Sequence, residues 1–219
     1  MSLVLSRRGP ILEADHHETV AAHARKYRDR HHTKLEGLIE PELLQYIVDR
    51  LAGADFVERV HEGIDANREF CMSHNALAGH LHFLFNDQRL FSVIEAITGC
   101  RPIGSFGGRV YRFDPAEGHH DAWHDDLDGR RMVAMSLNLG GTFEGGILEI
   151  RDAQSQIVLQ RIENTELGDA VIFRLDPALE HRVTPVVGTR PRTAFAGWFQ
   201  TEPTGTEVLQ ELRRDRQTS

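Results

Sequence analysis

The spacing of apolar and polar positions divides the chain near residue 100. Before that point apolar residues recur at helical intervals. Leu43, Leu44, Ile47, Val48 and Leu51 fall on one side of a helix that Pro41 can open, because a first-turn N–H has no helical partner to lose. Gly53 is its stop. Leu77–Phe85 reads as a second helix. Asn86 reads as the N-cap of a third, whose Leu90, Phe91, Ile94 and Ile97 form a stripe closed by Gly99. Glu13–Arg30 is charged and rich in histidine, an exposed helix, and residues 32–38 are extended.

After residue 100 the period changes to two. Turns rich in Gly, Pro and Asp separate the short runs Gly108–Phe113, Met132–Leu139, Gly146–Arg151, Ile157–Ile162, Asp169–Leu175 and Arg192–Gln200. Within Met132–Leu139, Val133, Met135, Leu137 and Leu139 share one face. Ala134, Ser136 and Asn138 share the other; Ser136 and Asn138 could line a pocket, but a polar outer face is the commoner account. Short strands at such intervals predict a sandwich or barrel of the jelly-roll type. The fold class expected is α+β with a mostly β core and an N-terminal helical layer packed on it. Residues 1–100 are the helical support, 101–203 the β core and 204–219 a helical tail, in which Val208 and Leu212 face inward.

Composition narrows the function. The chain has 219 residues, 40% of them apolar and 26% charged, enough to bury a core. No run approaches the roughly 18 apolar residues of a membrane span, and the first residues lack the apolar stretch of a secretory signal. Cys71 and Cys100 make no disulfide framework and fit a reducing cytoplasm. A net charge of −8 argues against non-specific nucleic-acid binding, which needs surplus cations to release phosphate counter-ions. The unusual feature is 13 histidines.

Two His-x-Asp triplets occur, His119-His120-Asp121 and His124-Asp125-Asp126. Chance alone supplies about one in a chain with this many histidines and aspartates, so context must decide. Residues i and i+2 at a strand end project to one side, so His124 and Asp126 can offer a nitrogen and a carboxylate to one ion. A distant histidine such as His181 would complete two His and one carboxylate. That set covers one face of an octahedron and leaves three positions open, as in non-haem Fe(II) oxygenases, whereas catalytic zinc sites keep one. The N-terminal His16, His17, His23, His31 and His32 lack ligand spacing and read as a charged helix face, and His119 and His120 as a solvated loop pair. Cys71 and Cys100 read as buried thiols.

The ordered string His124-x-Asp126, Gly145-Gly-Ile-Leu, His181-x-Val-x-Pro-Val, a following arginine and Trp198 resembles the 2-oxoglutarate/Fe(II)-dependent dioxygenases, and within them the prolyl 4-hydroxylase branch. The resemblance spans about residues 105–200, and Leu38-Ile-Glu-Pro-Glu-Leu-Leu is similar to that branch's helical lead-in. It implies a double-stranded β-helix, with Fe(II) on His124, Asp126 and His181. It also implies 2-oxoglutarate as cosubstrate beside O2, and ascorbate as a reductant that keeps the iron ferrous. Trp123-His124-Asp125-Asp126 is preferred to the His119 triplet because it lies nearer the strand Met132–Leu139, as the Trp-His-x-Asp string does in relatives. A carboxylate at position 126 implies hydroxylation, since related halogenases carry a small residue there.

The far carboxylate of oxoglutarate requires a fixed cation, and arginine's planar fork suits it. Arg190 and Arg192 both follow His181 and share strand parity with Trp198. Pro191 removes a ladder N–H, so the strand should start at Arg192, which also stands six residues before Trp198, the spacing of the family's strand. Arg192 is therefore preferred, with Arg190 the alternative. Tyr111 occupies the place where relatives put an oxoglutarate-contacting tyrosine, although its 13-residue distance from His124 requires an extra loop. Gly145-Gly146 serves a tight turn, and Trp198 either walls the site or fills the core.

The activity implied is hydroxylation of an unactivated C–H with release of succinate and CO2. A peptidyl side chain is the first substrate class, proline foremost, and a free amino acid or small metabolite the second. A nucleic-acid demethylase is disfavoured because Trp198 stands where that branch carries a second arginine. The competing class is a metal-binding, cupin-like jelly roll without catalysis.

Overall fold

The computed structural model describes residues 3–12, 16–60 and 68–202, so the helix expected over 207–216 lies outside the described residues. Two short strands, β1 (Leu3–Ser6) and β2 (Gly9–Leu12), form a hairpin, followed by α1 (His16–Arg30), β3 (His32–Leu35) and α2 (Pro41–Ala52). Next come β4 (Phe56–Val60), β5 (Arg68–Met72), α3 (Ala76–Phe85) and α4 (Gln88–Thr98). The second half supplies β6 (Ser105–Phe113), β7 (Arg131–Asn138), β8 (Glu144–Gly145), β9 (Leu148–Asp152) and β10 (Val158–Ile162). It ends with β11 (Ala170–Arg174), β12 (Leu179–Val183), β13 (Val186–Val187) and β14 (Arg192–Gln200).

A seven-stranded antiparallel sheet, in the order β3-β11-β7-β14-β6-β5-β4, forms the larger wall. A three-stranded sheet, β10-β9-β12, and the β13-β8 pair make the smaller one. This is the expected jelly roll on a helical layer. The first hundred residues also contribute strands, of which β3, β4 and β5 extend the large sheet at its two edges.

Alternation along the central strands separates two cores. Val133, Met135 and Leu137 of β7 and Phe195 and Phe199 of β14 face the helices. There they meet Leu81 and Phe85 of α3 and Leu90, Phe91, Ile94 and Ile97 of α4. Each such buried side chain contributes about 1.5–3 kcal/mol of transfer free energy. The opposite faces carry Ala134 on β7 and Ala194 and Ala196 on β14, packed toward Phe143, Leu148, Ile150 and Phe173. Large residues on the helix side and small ones on the inner side leave a hollow between the sheets.

The helix boundaries follow local chemistry with one correction. Pro41 opens α2, and Gly99 closes α4 in a left-handed conformation, φ 67°. The N-cap of α4 is Asp87, whose carboxylate accepts the Arg89 N–H at 2.8 Å, not Asn86. Asn86 instead ends α3. Its amide donates to the His82 and Phe106 carbonyls at 2.8 and 3.0 Å and accepts the Phe106 N–H at 2.9 Å, stitching the helix end to β6.

β6 and β14 approach most closely at glycines. A Cβ on Gly197 would sit on the Gly107 carbonyl and the Gly108 Cα, so no larger residue fits without parting the strands. Gly79, inside α3, meets nothing within 4 Å. Gly197→Ala should therefore destabilise the fold by about 1–3 kcal/mol through overpacking. Gly79→Ala should stabilise it by about 0.5–1 kcal/mol through helix propensity. Urea unfolding of the two variants beside the parent checks the opposite signs.

Candidate active site

The two histidines are brought together by backbone. On β12 alternation turns Leu179, His181 and Val183 inward and Glu180 and Arg182 outward. His124 lies in the segment after β6 and exchanges both main-chain hydrogen bonds with His181, its N–H donating at 3.0 Å and its carbonyl accepting in return at 2.8 Å. The imidazole centroids are consequently 4.2 Å apart. Asp126 then adopts φ 60°, a left-handed conformation that aspartate tolerates better than most side chains. This turn, rather than the extended i/i+2 alternation read from sequence, carries its carboxylate back to the histidines. Asp126 Oδ2 lies 3.5 Å from His124 Nε2 and 3.2 Å from His181 Nε2.

The outer side of the same segment is clamped. Trp123, beside His124, has the Arg151 and Arg182 guanidinium carbons 4.2 and 4.5 Å from its ring centroid. Arg151 is held by Glu180 at 2.6 Å, and Arg182 by the buried Glu149 at 2.7 Å, which also pairs with Arg161. The neighbours of both candidate ligands, Trp123 on one side and Glu180 and Arg182 on the other, thus belong to one network behind the small sheet.

The electrostatics of the triad are mutual. Burial opposes a charge on His124, but the Asp126 carboxylate outweighs it and raises the imidazole to about 9. Burial likewise opposes charge on Asp126, yet hydrogen bonds from His124 and His181 hold it well below the usual carboxylate range. Burial, aided by His124, keeps His181 below its ordinary value despite Asp126. The Ala122 carbonyl, 2.7 Å from His124 Nδ1, can only accept, so the Nδ1 proton is fixed there and Nε2 is the atom left free to serve as a ligand. Trp198 Nε1 donates to Asp126 Oδ2 at 2.8 Å, and the Arg131 guanidinium lies 3.7 Å over the Trp198 ring. Among the described residues this is the one group of three or more His, Cys, Asp or Glu side chains whose ligand atoms converge, all within 4.8 Å. Two imidazole nitrogens and one carboxylate oxygen are donors that fit a ferrous ion.

The opposite wall carries Arg192, 7% exposed. It opens β14 as the Pro191 argument predicts, and donates from Nη1 to the Tyr111 hydroxyl and from Nη2 to Ser136 Oγ at 2.9 Å. Both partners are neutral, and among the described residues no carboxylate lies within ion-pair distance. Burial pushes the Tyr111 phenol up, keeping it protonated. Its oxygen accepts from Arg192 and its own hydrogen remains free to donate. Gly146, φ 59°, leaves the arginine room to pass, since a Cβ there would meet Arg192 Cδ at 3.1 Å. The triad, Tyr111, Ser136 and Arg192 all line one cavity of about 480 Å³.

Several sequence expectations change here. Arg190 is exposed in the turn after β13 and does not line this cavity, so it is corrected to a surface residue. His119 is buried, not solvated, with Nδ1 accepting the Asp114 N–H at 3.0 Å and its ring edge-on to Phe70. Ser136 and Asn138 are not an outer face: Ser136 faces the cavity and Asn138 is buried. The extra loop required between Tyr111 and His124 exists as residues 114–123, including a 3₁₀ turn at Pro115–Glu117. Trp198 walls the site. Cys71 and Cys100 are partly buried free thiols, Cys71 pushed up to about 11 by burial and by Glu69. Sequence reasoning missed Arg109, bound in bidentate fashion by the buried Glu69, although it shares strand parity with Tyr111. It also missed Arg131, whose approach to Asp126 carries no sequence signal.

Comparison with known proteins agrees with this geometry. Residues 108–200 match the sequence model of the 2OG-Fe(II) oxygenase superfamily. No curated protein matches the chain. A prolyl-4-hydroxylase structure from Pseudomonas putida is similar at 18% identity and TM-score 0.61, over 84% of this chain and 100% of that one. A prolyl hydroxylase from Trichoplax adhaerens, in complex with a hypoxia inducible factor oxygen degradation domain peptide fragment, is similar at 15% identity and TM-score 0.62, over 84% and 90%. The non-haem α-ketoglutarate-dependent epimerase SnoN from nogalamycin biosynthesis is similar at 15% identity and TM-score 0.61, over 88% and 89%. The match over residues 108–200, together with a fold shared with prolyl 4-hydroxylases, supports a 2-oxoglutarate-dependent dioxygenase using Fe(II).

Proposed function

We propose that this oxygenase holds iron on His124, Asp126 and His181 and the distal carboxylate of 2-oxoglutarate on Arg192, Tyr111 and Ser136. In this reading it hydroxylates an unactivated C–H of a peptidyl side chain, proline foremost. The observation that carries the assignment is the buried Arg192 guanidinium, which among the described residues is satisfied by neutral hydroxyls alone and shares one cavity with the triad. A buried cation needs an anion, and a dicarboxylate spanning from the metal to Arg192 supplies it. A metal-binding jelly roll without a cosubstrate would have no use for that arginine.

Each residue then has a task. Arg192 and Tyr111 fix the length and direction of the cosubstrate. Trp198 holds Asp126 by its indole N–H on Oδ2, the oxygen nearest both histidines, and so orients the carboxylate. Leu148, Phe173 and Val183 keep the wall beside His181 apolar and exclude water. Bound iron and oxoglutarate supply the O2 activation, with succinate and CO2 as coproducts, and ascorbate serves to keep the metal ferrous. The cavity reaches the surface, where exposed Arg59 lines it, so a side chain on a larger molecule can enter. We take residues 101–203 as the catalytic core, with 1–100 as its support and 204–219 as an appended tail, since all lining residues except Arg59 lie in 101–203. Two free thiols support a reducing, cytoplasmic setting. No described helix is long and apolar enough to cross a membrane. The second reading, a free amino acid or small metabolite, draws on the epimerase that shares the fold.

Anaerobic addition of Fe(II) and oxoglutarate should produce the weak visible band of a chelated keto acid, and Asp126→Ala should abolish both the band and succinate release. A band that persists in Asp126→Ala removes that residue from the ligand set. Arg192→Ala should weaken oxoglutarate binding roughly 10- to 100-fold, the scale of lost charge-assisted hydrogen bonds, with Arg190→Ala unchanged. The reverse ranking, read by titrating the band, would restore Arg190. Trp123→Leu should lower metal affinity about 10-fold while sparing oxoglutarate affinity at saturating metal, as expected for a residue that orients a ligand. Equal metal affinity by competition with a chelator dye would make the clamp merely decorative.

A further inference from the structure

We infer that the substrate carries a carboxylate, received at the cavity mouth by Arg59. The inference rests on the oxygenase reading of the same site and adds the chemical class of what is hydroxylated.

The chain is acidic, at −8, yet the cavity is not. Its lining includes four guanidiniums, Arg59, Arg109, Arg131 and Arg192, against two carboxylates, Asp121 and Asp126. The oxygenase reading assigns Arg192 to oxoglutarate and Asp126 to the metal, and the two charges of oxoglutarate balance those of a ferrous ion. Three arginines and one aspartate remain to face the substrate. A cavity whose sign opposes that of the whole protein concentrates anions locally.

The three arginines are not equivalent. Arg109 is locked by Glu69, Nη2 to Oε2 at 2.9 Å and Nε to Oε1. Arg131 is held 3.5 Å from Asp126 Oδ1 and 3.3 Å from Asp128 Oδ2, and lies over Trp198. Arg59 stands on the edge strand β4, directly across from Glu69 in the register. Its side-chain contact is the Cys71 thiol, and among the described residues no carboxylate lies within ion-pair distance of it. Both Glu69 oxygens are engaged by Arg109. Among the described residues Arg59 is thus the lining cation whose planar fork has no anion to hold, and carboxylate is the group it pairs with best. The volume decides the size of the partner. About 480 Å³ must also hold oxoglutarate, so what is left admits an acidic side chain or a small acid, not a bulky polyanion.

The test uses matched probes on the anaerobic Fe(II)–oxoglutarate enzyme. One arm contains N-acetylated tripeptide amides in which a central Asp or Glu is flanked by proline or by alanine, each beside its Asn or Gln twin. The other contains free L-amino acids beside their carboxamides. Binding is read from the perturbation of the visible band, and turnover from stimulated succinate release after oxygen is admitted. At least one acidic probe should bind about 10-fold or more tightly than its neutral twin. Arg59→Gln should erase that preference, while Arg68→Gln, a charge removed from the neighbouring strand outside the cavity, should keep it. The responding arm tells whether the carboxylate belongs to a peptide or a free acid. Neutral twins that bind as well as the acids, no binding by any acid, or a preference that survives Arg59→Gln overturns the inference and leaves the oxygenase reading standing. Failure of the visible band to form in the parent enzyme overturns both.

Discussion

A guanidinium buried between two sheets, with no carboxylate within ion-pair distance among the described residues, is the constraint around which most of the site is arranged. Arg192 is satisfied in hydrogen bonding by Tyr111 and Ser136, yet not in charge. A buried ion left uncompensated costs several kcal/mol, which is why the proposed oxoglutarate carboxylate suits this position. Ala134, Ala194 and Ala196 make the hollow, and Gly146 gives the arginine passage. The helix-facing residues of the same strands, Phe195 and Phe199 among them, provide the stability that pays for it.

The metal end follows from a different constraint, the geometry of paired strands. One exchange of main-chain hydrogen bonds fixes His124 beside His181, and one left-handed residue returns Asp126 to both. Because side chains alternate, the positions flanking the ligands are free to build the Trp123–Arg151–Arg182 clamp outside. Inner chemistry and outer support are consequently consecutive in sequence. Electrostatics then makes the three candidate ligands interdependent, since the low affinity of Asp126 for a proton and the raised affinity of His124 are one interaction seen from either end.

Much of this was legible in the sequence where one physical rule acted alone. The apolar spacing of α2 and α4 and the two-residue period of β7 located those elements, and Pro191 placed the start of β14, hence the choice of Arg192 over Arg190. Legibility failed where two rules competed. Asn86 has the chemistry of an N-cap, but its amide is worth more joining α3 to β6, and Asp87 caps instead. Ser136 looked like an outer-surface residue because a polar cavity wall and a solvated face give the same alternation. β12 gave no run of apolar residues because Glu180 and Arg182 belong to the clamp. Arg59 and Arg109 reach the site from strands that sequence order does not place next to one another, and only the register of β4, β5 and β6 reveals them.

The most direct test of the account is a crystal structure with an inert divalent ion in place of iron and a non-reactive oxoglutarate analogue. The account predicts one metal peak bonded to His124 Nε2, His181 Nε2 and an Asp126 oxygen, with the analogue's far carboxylate paired to Arg192. A metal bound without one of those three side chains, or an analogue whose far carboxylate lies away from Arg192, would contradict it.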